Sequence, residues 1–103
     1  MQYPKNKRAK NPKLLQAIRQ LPCVACGKAG PSDPDHIGTK GAGHGDADNN
    51  LWPLCRMDHR MKHDKGLSYF VGFYPHLVQI LKNKGWTYDD FSQRWICELY
   101  SNG

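Results

Sequence analysis

Two histidines four residues apart offer the first chemistry in this sequence. His59 and His63 lie in the segment CRMDHRMKH, whose pattern predicts a helix, and residues four apart on a helix share a face. That spacing suits two ligands of one metal ion. Upstream, the adjacent residues Asp35 and His36 lie in a candidate strand. Their side chains should therefore point to opposite sides of the strand.

This division of side chains suits the hydrolysis of a phosphodiester. Asp35 and the two helical histidines can hold a divalent cation, which stabilises charge on the phosphate and the leaving oxygen. The neutral imidazole of His36 can take a proton from the attacking water. Asn50 is placed to fix that imidazole through its side chain or its backbone. The pattern predicts a catalytic group of His36, Asn50, Asp35, His59 and His63.

The cysteines indicate a second metal site. Cys23 and Cys26 form the knuckle CVAC, and Cys55 begins the predicted helix. A structural zinc takes four tetrahedral ligands, so the fourth should lie one helical turn after Cys55. Asp58 and His59 both have suitable spacing. We favour Asp58, because giving His59 to the zinc would leave the other cation one ligand short.

The charge of the chain indicates an acidic partner. The chain has 103 residues and a net charge of +6, and this excess favours nucleic acid. Seven Lys/Arg and no acidic residue lie between Met1 and Ser32. This stretch is either a solvated tail or an arm that lies on phosphates, and the metal-site patterns favour the arm. Its candidate contacts are Lys5, Lys7, Arg8, Lys10 and Lys13.

The sequence favours an intracellular, cytoplasmic protein without a membrane partner. No apolar run approaches the roughly 18–20 residues that span a bilayer. The basic N-terminus has no apolar segment behind it, as a secretory signal would have. The CVAC spacing favours metal chemistry over a structural disulfide.

The predicted elements place these residues close together. Asn11 and Pro12 predict the start of a helix, whose apolar stripe comprises Leu14, Leu15, Ile18 and Leu21. The segments DHI and LWPLC predict a hairpin across the glycine-rich loop GTKGAGHGDADNN, and the helix after it should stop at Gly66. One or two helices should follow around Pro75.

The C-terminal segment predicts one more helix. Thr87 with Asp90 is typical of a capping box, and the aromatic face that follows should be part of the core: Tyr88, Phe91 and Trp95, with Leu99. Cys97 should be a small buried residue of the same helix.

The glycine-rich loop offers further candidate contacts to a phosphate or a metal. Its glycines, with Thr39 and Lys40, would let the chain approach a phosphate closely, and a merely flexible loop is an equal alternative. His44 is either an exposed loop residue, which we favour, or a phosphate contact or extra metal ligand.

In order along the chain, CVAC, DHI, NL and LCRMDHRMKH resemble the HNH endonucleases of the ββα-metal (treble-clef) superfamily, especially small phage and prophage nucleases. The likeness covers about Leu21 to Gly66. It implies a general base at His36, oriented by Asn50, and a catalytic Mg²⁺, Mn²⁺ or other divalent cation on Asp35, His59 and His63. It also implies a structural zinc on Cys23, Cys26, Cys55 and Asp58. The family pattern has Cys or His where this chain has Asp58, and Gly where it has His44.

We therefore expect one α+β domain over residues 1–103, built on a small zinc-stabilised ββα-metal (HNH, treble-clef) core with flanking helices at both ends. A basic arm would occupy residues 1–12, the first helix, knuckle and core 13–66, and C-terminal helices 67–103.

The expected function is metal-dependent cleavage of DNA. The alternative is a zinc-stabilised DNA-binding module without catalysis, and the basic charge disfavours a protein-interaction zinc finger. The sequence leaves open duplex, branched or single-stranded DNA, or RNA, and a partner from phage or host recombination or packaging. The resemblance implies a phage or prophage origin.

Overall fold

A computed structural model of the chain describes residues 10–38 and 46–97. The helices are α1 (Pro12–Arg19), α2 (Arg56–Lys65), α3 (Leu67–Phe73) and α4 (Leu77–Asn83). The strands are β1 (Asp33–His36), β2 (Leu51–Leu54), β3 (Trp86–Asp89) and β4 (Arg94–Cys97), and a 3₁₀ turn covers Asp48–Asn50. The predicted α+β class is confirmed. Within the described ranges, no helix has the length and apolar character needed to cross a membrane.

The first helix begins where the sequence predicts. The side chain of Asn11 accepts a hydrogen bond from the Leu14 amide at 3.1 Å, and proline occupies the first helical turn. The helix ends at Arg19, and Ile18 is its buried residue. Leu21, expected in the apolar stripe, is exposed. The predicted stripe is therefore narrower than its spacing indicated.

Strands β1 and β2 form the predicted antiparallel hairpin. Asp35 pairs with Trp52 and His36 with Leu51, and the Ile37 amide donates to the Asn50 carbonyl at 2.8 Å just beyond the strand. Asp35 is buried and His36 is exposed. This is the alternation that a pleated strand imposes, and it separates the acid from the imidazole.

Helix α2 follows the hairpin directly and packs against both of its strands. Gly66, whose φ is +94°, ends the helix, and its amide donates to the Lys62 carbonyl at 2.8 Å. A side chain would be strained at that φ, so glycine suits the position. The residues of α2 that face the hairpin include the candidate metal ligands.

The core lies between the β1–β2 hairpin and helices α3 and α4. Trp52 contacts Phe70 edge-to-face, with ring centroids 6.3 Å apart. Its other fully buried apolar residues are Leu51, Leu54, Leu77 and Leu81. Trp86 and Cys97 from the C-terminal hairpin also join the core. Pro75 lies between α3 and α4, as predicted.

The predicted C-terminal helix is wrong, because residues 86–97 form the β3–β4 hairpin. Trp86 pairs with Cys97 and Tyr88 with Trp95. Asp89 accepts hydrogen bonds from the Ser92 amide at 3.0 Å and from the Ser92 hydroxyl at 2.6 Å. This local bonding favours a turn over a helix. The described C-terminal region therefore contains two helices and a hairpin, not helices alone.

Two of the three aromatic side chains predicted for the core of this segment were predicted incorrectly, whereas Trp95 packs against the core. Phe91 is 96% exposed and Tyr88 is 42% exposed, so neither forms the core face expected of them. Trp95 is half-buried and contacts Tyr88 edge-to-face, with ring centroids 5.6 Å apart. Cys97 is buried as predicted, although it lies in a strand. Leu99 lies outside the described residues.

Candidate metal centres

Three thiols and a carboxylate meet beside the start of α2. Their ligand atoms all lie within 4.8 Å of one another, and the group comprises Cys23, Cys26, Cys55 and Asp58. Oδ2 of Asp58 accepts hydrogen bonds from the Cys23 thiol at 3.3 Å and the Cys55 thiol at 3.4 Å. This donor set could hold a metal ion such as zinc. His59, the alternative fourth ligand, belongs to a different group.

Backbone hydrogen bonds shape the cysteine knuckle. The Cys23 amide donates to the Lys28 carbonyl and the Gly27 amide to the Cys23 carbonyl, both at 2.9 Å. Gly27 has a φ of +81°, which favours glycine. The Val24 amide donates to the Pro53 carbonyl at 2.9 Å. This last bond ties the knuckle to β2, so it lies next to Cys55, the residue after that strand.

Tyr74 supports the carboxylate of this group. Its hydroxyl donates to Oδ1 of Asp58 at 2.8 Å, which leaves Oδ2 facing the thiols. Burial raises the pKa of Asp58, but the hydrogen bonds from Tyr74 and the thiols outweigh it and lower the pKa. Burial and the bond to Asp58 raise the pKa of Tyr74 to about 12. The carboxylate is therefore ionised and oriented towards the thiols.

The Cys26 thiol resists ionisation in the absence of a cation. The Lys28 backbone favours the thiolate of Cys26, but desolvation and bonds to Asp58 and the other two thiols raise its pKa to about 12. Because metal ligands of this type bind as thiolates, a cation entering the group must displace protons.

A second group lies where α2 crosses β1. Asp35, His59 and His63 also place their ligand atoms within 4.8 Å of one another. Oδ1 of Asp35 lies 3.2 Å from Nε2 of His59 and 3.7 Å from Nε2 of His63. Metal–ligand bonds of about 2.1 Å at roughly 90–110° separate ligand atoms by about 3.0–3.5 Å. The His59 distance lies within this range and the His63 distance slightly beyond it, so the three donors could hold one divalent cation after a small shift of the His63 ring.

Two donors hold the other oxygen of Asp35. Oδ2 accepts from the Trp52 indole at 2.9 Å and from the Lys62 ammonium at 3.1 Å. The Asp35 carboxylate is buried, so these bonds compensate its desolvation and aim Oδ1 at the imidazoles. Sequence reasoning missed Lys62. Its spacing of three residues after His59 was the available signal, because residues three apart share a helix face.

Asp33 determines which nitrogen of His59 faces Asp35. Oδ2 of Asp33 lies 3.0 Å from Nδ1 of His59. The bond to His59, followed by the charge of Arg56, lowers the pKa of Asp33 despite its burial. An ionised carboxylate only accepts, so Nδ1 carries hydrogen. In the neutral ring, the lone pair of Nε2 then faces Oδ1 of Asp35. A cation bound between the two atoms would satisfy both of them.

His36 has a partner that the sequence did not reveal. Its side chain is 45% exposed, and Nε2 lies 2.8 Å from Oδ1 of Asp46. Burial raises the pKa of Asp46, but hydrogen bonds from His36 and from the Asn11 amide outweigh it and lower the pKa. The ionised carboxylate accepts a hydrogen from Nε2, so Nδ1 carries the lone pair of the neutral imidazole.

Asn50 acts on the backbone that follows His36. Its buried side chain accepts from the Gly38 amide at 2.7 Å, and its Nδ2 donates to the Gly38 carbonyl at 3.5 Å. Its own carbonyl accepts from the Ile37 amide. These bonds close the hairpin next to His36, whereas the ring nitrogen Nε2 is held by Asp46.

The described part of the basic arm lies near the same place. Lys10 and Lys13 are exposed at the start of α1. Between them, the Asn11 amide donates to Oδ2 of Asp46 at 2.9 Å, so the C-terminal end of the arm lies beside the partner of His36. His44 lies outside the described residues. So do the other predicted phosphate contacts, which are Lys5, Lys7, Arg8, Thr39 and Lys40.

The fold and these contacts define a small α+β structure that carries two groups of side chains that could hold metal ions. The chain belongs to the family described as "Protein of unknown function (DUF968)", whose model matches residues 1–82. The match includes every residue of both groups and ends before the β3–β4 hairpin. No curated protein and no solved structure matches the chain.

Proposed function

We propose that this protein is a metal-dependent endonuclease that hydrolyses DNA phosphodiester bonds, in the manner of the HNH nucleases that its sequence resembles. One observation carries the proposal. At the end of β1, Asp35 is buried against His59 and His63, and the next residue, His36, exposes an imidazole held by a carboxylate. A pure binding module has no need for this combination.

The chain supplies the proton transfer. The bond to Asp46 fixes Nε2 of His36 as the hydrogen-bond donor. The other ring nitrogen, Nδ1, is therefore free to take a proton from the attacking water. The Asp46 carboxylate then stabilises the imidazolium that results, as an acid paired with a histidine does in other hydrolases. Bonds from Asn50 to Gly38 hold the strand end that carries this imidazole.

Asp35, His59 and His63 would hold the catalytic divalent cation. When bound, a divalent cation would supply charge stabilisation for the phosphate and the leaving oxygen. The chain orients the ligands: Trp52 and Lys62 hold Asp35, and Asp33 holds the ring of His59. Partners of this kind fix ligand geometry at metal sites.

The other group is proposed to bind a structural zinc through Cys23, Cys26, Cys55 and Asp58. Three thiolates and one carboxylate match the ligand types that zinc accepts. Asp58 and His59 are neighbours on α2, so zinc would hold the start of the helix that presents the catalytic ligands. Zinc binding would also add folding free energy to a small domain.

DNA is the proposed substrate because the chain is basic, with a net charge of +6, and phosphate contacts dominate the affinity of such proteins. Lys10 and Lys13 flank Asn11, whose amide bonds to the partner of His36. A strand held by these lysines would pass close to the imidazole. The alternative, a zinc-stabilised DNA-binding module, shares the charge and differs in catalysis.

A plasmid-nicking assay with zinc-loaded protein tests the proposal. Supercoiled, branched and single-stranded DNA would each be incubated with Mg²⁺, Mn²⁺ or Ni²⁺ and the wild-type, His36→Ala or Gln79→Ala protein. Gln79 is exposed on α4 and bonds to Asn83, so its variant is the control. We expect His36→Ala to bind DNA normally and to lose about 10²–10⁴-fold in cleavage rate.

Two results would reject this function. DNA binding by the wild-type protein without cleavage of any substrate, whatever the cation, would favour the binding module. Full cleavage by His36→Ala would remove the proposed base and with it the mechanism.

A further inference from the structure

Lys62 is a buried lysine beside the proposed catalytic cation. It is 5% exposed, and its ammonium lies 3.1 Å from Oδ2 of Asp35 and 3.2 Å from the His36 carbonyl. Lysine is almost never buried unless it is paired. Its position is unusual because its partner is a carboxylate that would also bind the cation through its second oxygen.

The ammonium changes the charge that a cation meets. Asp35 contributes one negative charge to the group, and the two imidazoles bind as neutral donors. Lys62 adds one positive charge next to Asp35. The nearby Asp33 is engaged by His59 and by Arg56 at 3.3 Å. The three ligands and Lys62 together therefore carry no net negative charge, and affinity must come from bonds to nitrogen.

Cations differ in how much they depend on that charge. Mg²⁺ prefers hard oxygen ligands and gives up its water reluctantly. Imidazole suits Zn²⁺, Cu²⁺ and Ni²⁺, and affinity for nitrogen sites rises from Mn²⁺ towards Cu²⁺. Repulsion from a nearby ammonium opposes all divalent cations alike. Only cations that gain strongly from the two imidazoles should remain tightly bound.

We propose that Lys62 is a charge counterweight that weakens the binding of every divalent cation to the Asp35–His59–His63 group, so that only transition-metal cations with high affinity for imidazole bind there tightly. The inference rests on the proposed function only in taking this group as the cation site. Lys62 is a positioning residue here, because it acts on the cation through the carboxylate of Asp35.

Calorimetric titration of zinc-loaded protein with Ni²⁺ and with Mg²⁺ tests this role without DNA. Lys62→Gln keeps a hydrogen-bond donor for Asp35 and removes the charge, whereas Lys62→Arg keeps the charge. Lys65→Met is the matched control, because Lys65 is exposed on the same helix and lies over the Tyr69 ring at 5.5 Å. His63→Ala should weaken binding of both cations and so identifies the site. Zinc content is measured after each titration.

We expect the wild-type protein to bind Ni²⁺ at least about 100-fold more tightly than Mg²⁺. Lys62→Gln should bind both cations about tenfold more tightly or better, because a unit charge next to the bound carboxylate is removed. Lys62→Arg and Lys65→Met should behave as the wild type does. If Lys62→Gln folds only with metal, the cation concentration that restores half of the helical ellipticity gives the same comparison.

A Lys62→Gln protein with unchanged or weaker affinity for both cations would overturn the inference and leave Lys62 as a structural ion pair. Wild-type affinity for Mg²⁺ equal to that for Ni²⁺ would overturn it too. Tighter cation binding by Lys62→Gln in a protein that never cleaves DNA would support the counterweight while rejecting the proposed nuclease.

Discussion

Oδ1 of Asp46 lies 2.8 Å from Nε2 of His36, and Oδ2 of the same carboxylate accepts the Asn11 amide at 2.9 Å. One residue thus connects an exposed imidazole at the end of β1 to the first turn of α1. The arrangement fixes the ring of His36 and places the C-terminal end of the basic arm beside it. Both contacts bear directly on the proposed catalysis and the proposed DNA binding.

Replacing Asp46 should slow cleavage without removing the base itself. Asp46→Ala should lower turnover by at least about tenfold, short of the roughly 10²–10⁴-fold expected for loss of a general base. Asp46→Asn retains an acceptor for Nε2 and should lose less. Asp48→Ala, an exposed neighbour, is the control, and single-turnover cleavage is the measurement. Wild-type turnover in Asp46→Ala would show that His36 needs no partner.

Removing each candidate zinc ligand should distinguish Asp58 from His59. Asp58→Ala should lose zinc and unfold, because Asp58 lies among the thiols and metal binding contributes folding energy. His59→Ala should stay folded and keep about one zinc, losing only the second cation. Elemental analysis combined with circular dichroism measures both properties. Loss of zinc from His59→Ala with zinc retained by Asp58→Ala would reverse the assignment.

Tyr74→Phe should weaken zinc binding without removing a ligand. The variant loses the 2.8 Å hydrogen bond to Oδ1 of Asp58, and loss of such a supporting bond typically costs about 10–100-fold in metal affinity. Competition with a chromophoric chelator measures the change. Tyr69→Phe is the control, since Tyr69 is an exposed residue of the preceding turns. Equal zinc affinities for the two variants would mean that Tyr74 does not orient Asp58.

Neutralising the basic arm should reduce the salt dependence of DNA binding. The variant replaces Lys5, Lys7, Arg8, Lys10 and Lys13 with glutamine. The slope of log K against log salt is negative, and each lost phosphate contact should make it shallower by about 0.9. Turnover at saturating DNA should change little. Binding titrations from low to high salt measure the slope. Lys82→Gln, exposed on α4, is the single-charge control, and an unchanged slope in the arm variant would identify a solvated tail.

Spacing within single helices and strands explains which residues of the candidate sites could be predicted from the sequence. The i, i+4 pair of His59 and His63 and the helical turn between Cys55 and Asp58 depend only on α2 being a helix. The opposite orientations of Asp35 and His36 depend only on β1 being a strand. These relationships are properties of single elements, and the structure brings the corresponding ligand atoms together.

The supporting residues could not be predicted in the same way. Lys62 reaches Asp35 only because α2 crosses β1, and Asp46 reaches His36 across the hairpin loop. The C-terminal error had a different cause. Thr87 and Asp90 have the spacing of a helix cap, but the segments WTYD and RWIC pair as strands across the turn at Asp89 and Ser92. Tertiary pairing overrode the local signal.

Trp86 lies beyond the part of the chain that the family model matches, but its side chain contacts residues within that part. Its indole donates to the Asn49 carbonyl at 2.7 Å, and a Cβ added to Gly38 would come within 2.7 Å of its ring. The matched range ends at residue 82. The C-terminal hairpin therefore supplies the side chain that covers Gly38, two residues beyond the end of β1. The sizes of residues 38 and 86 are accordingly coupled, because a side chain at position 38 requires a smaller or displaced ring at position 86.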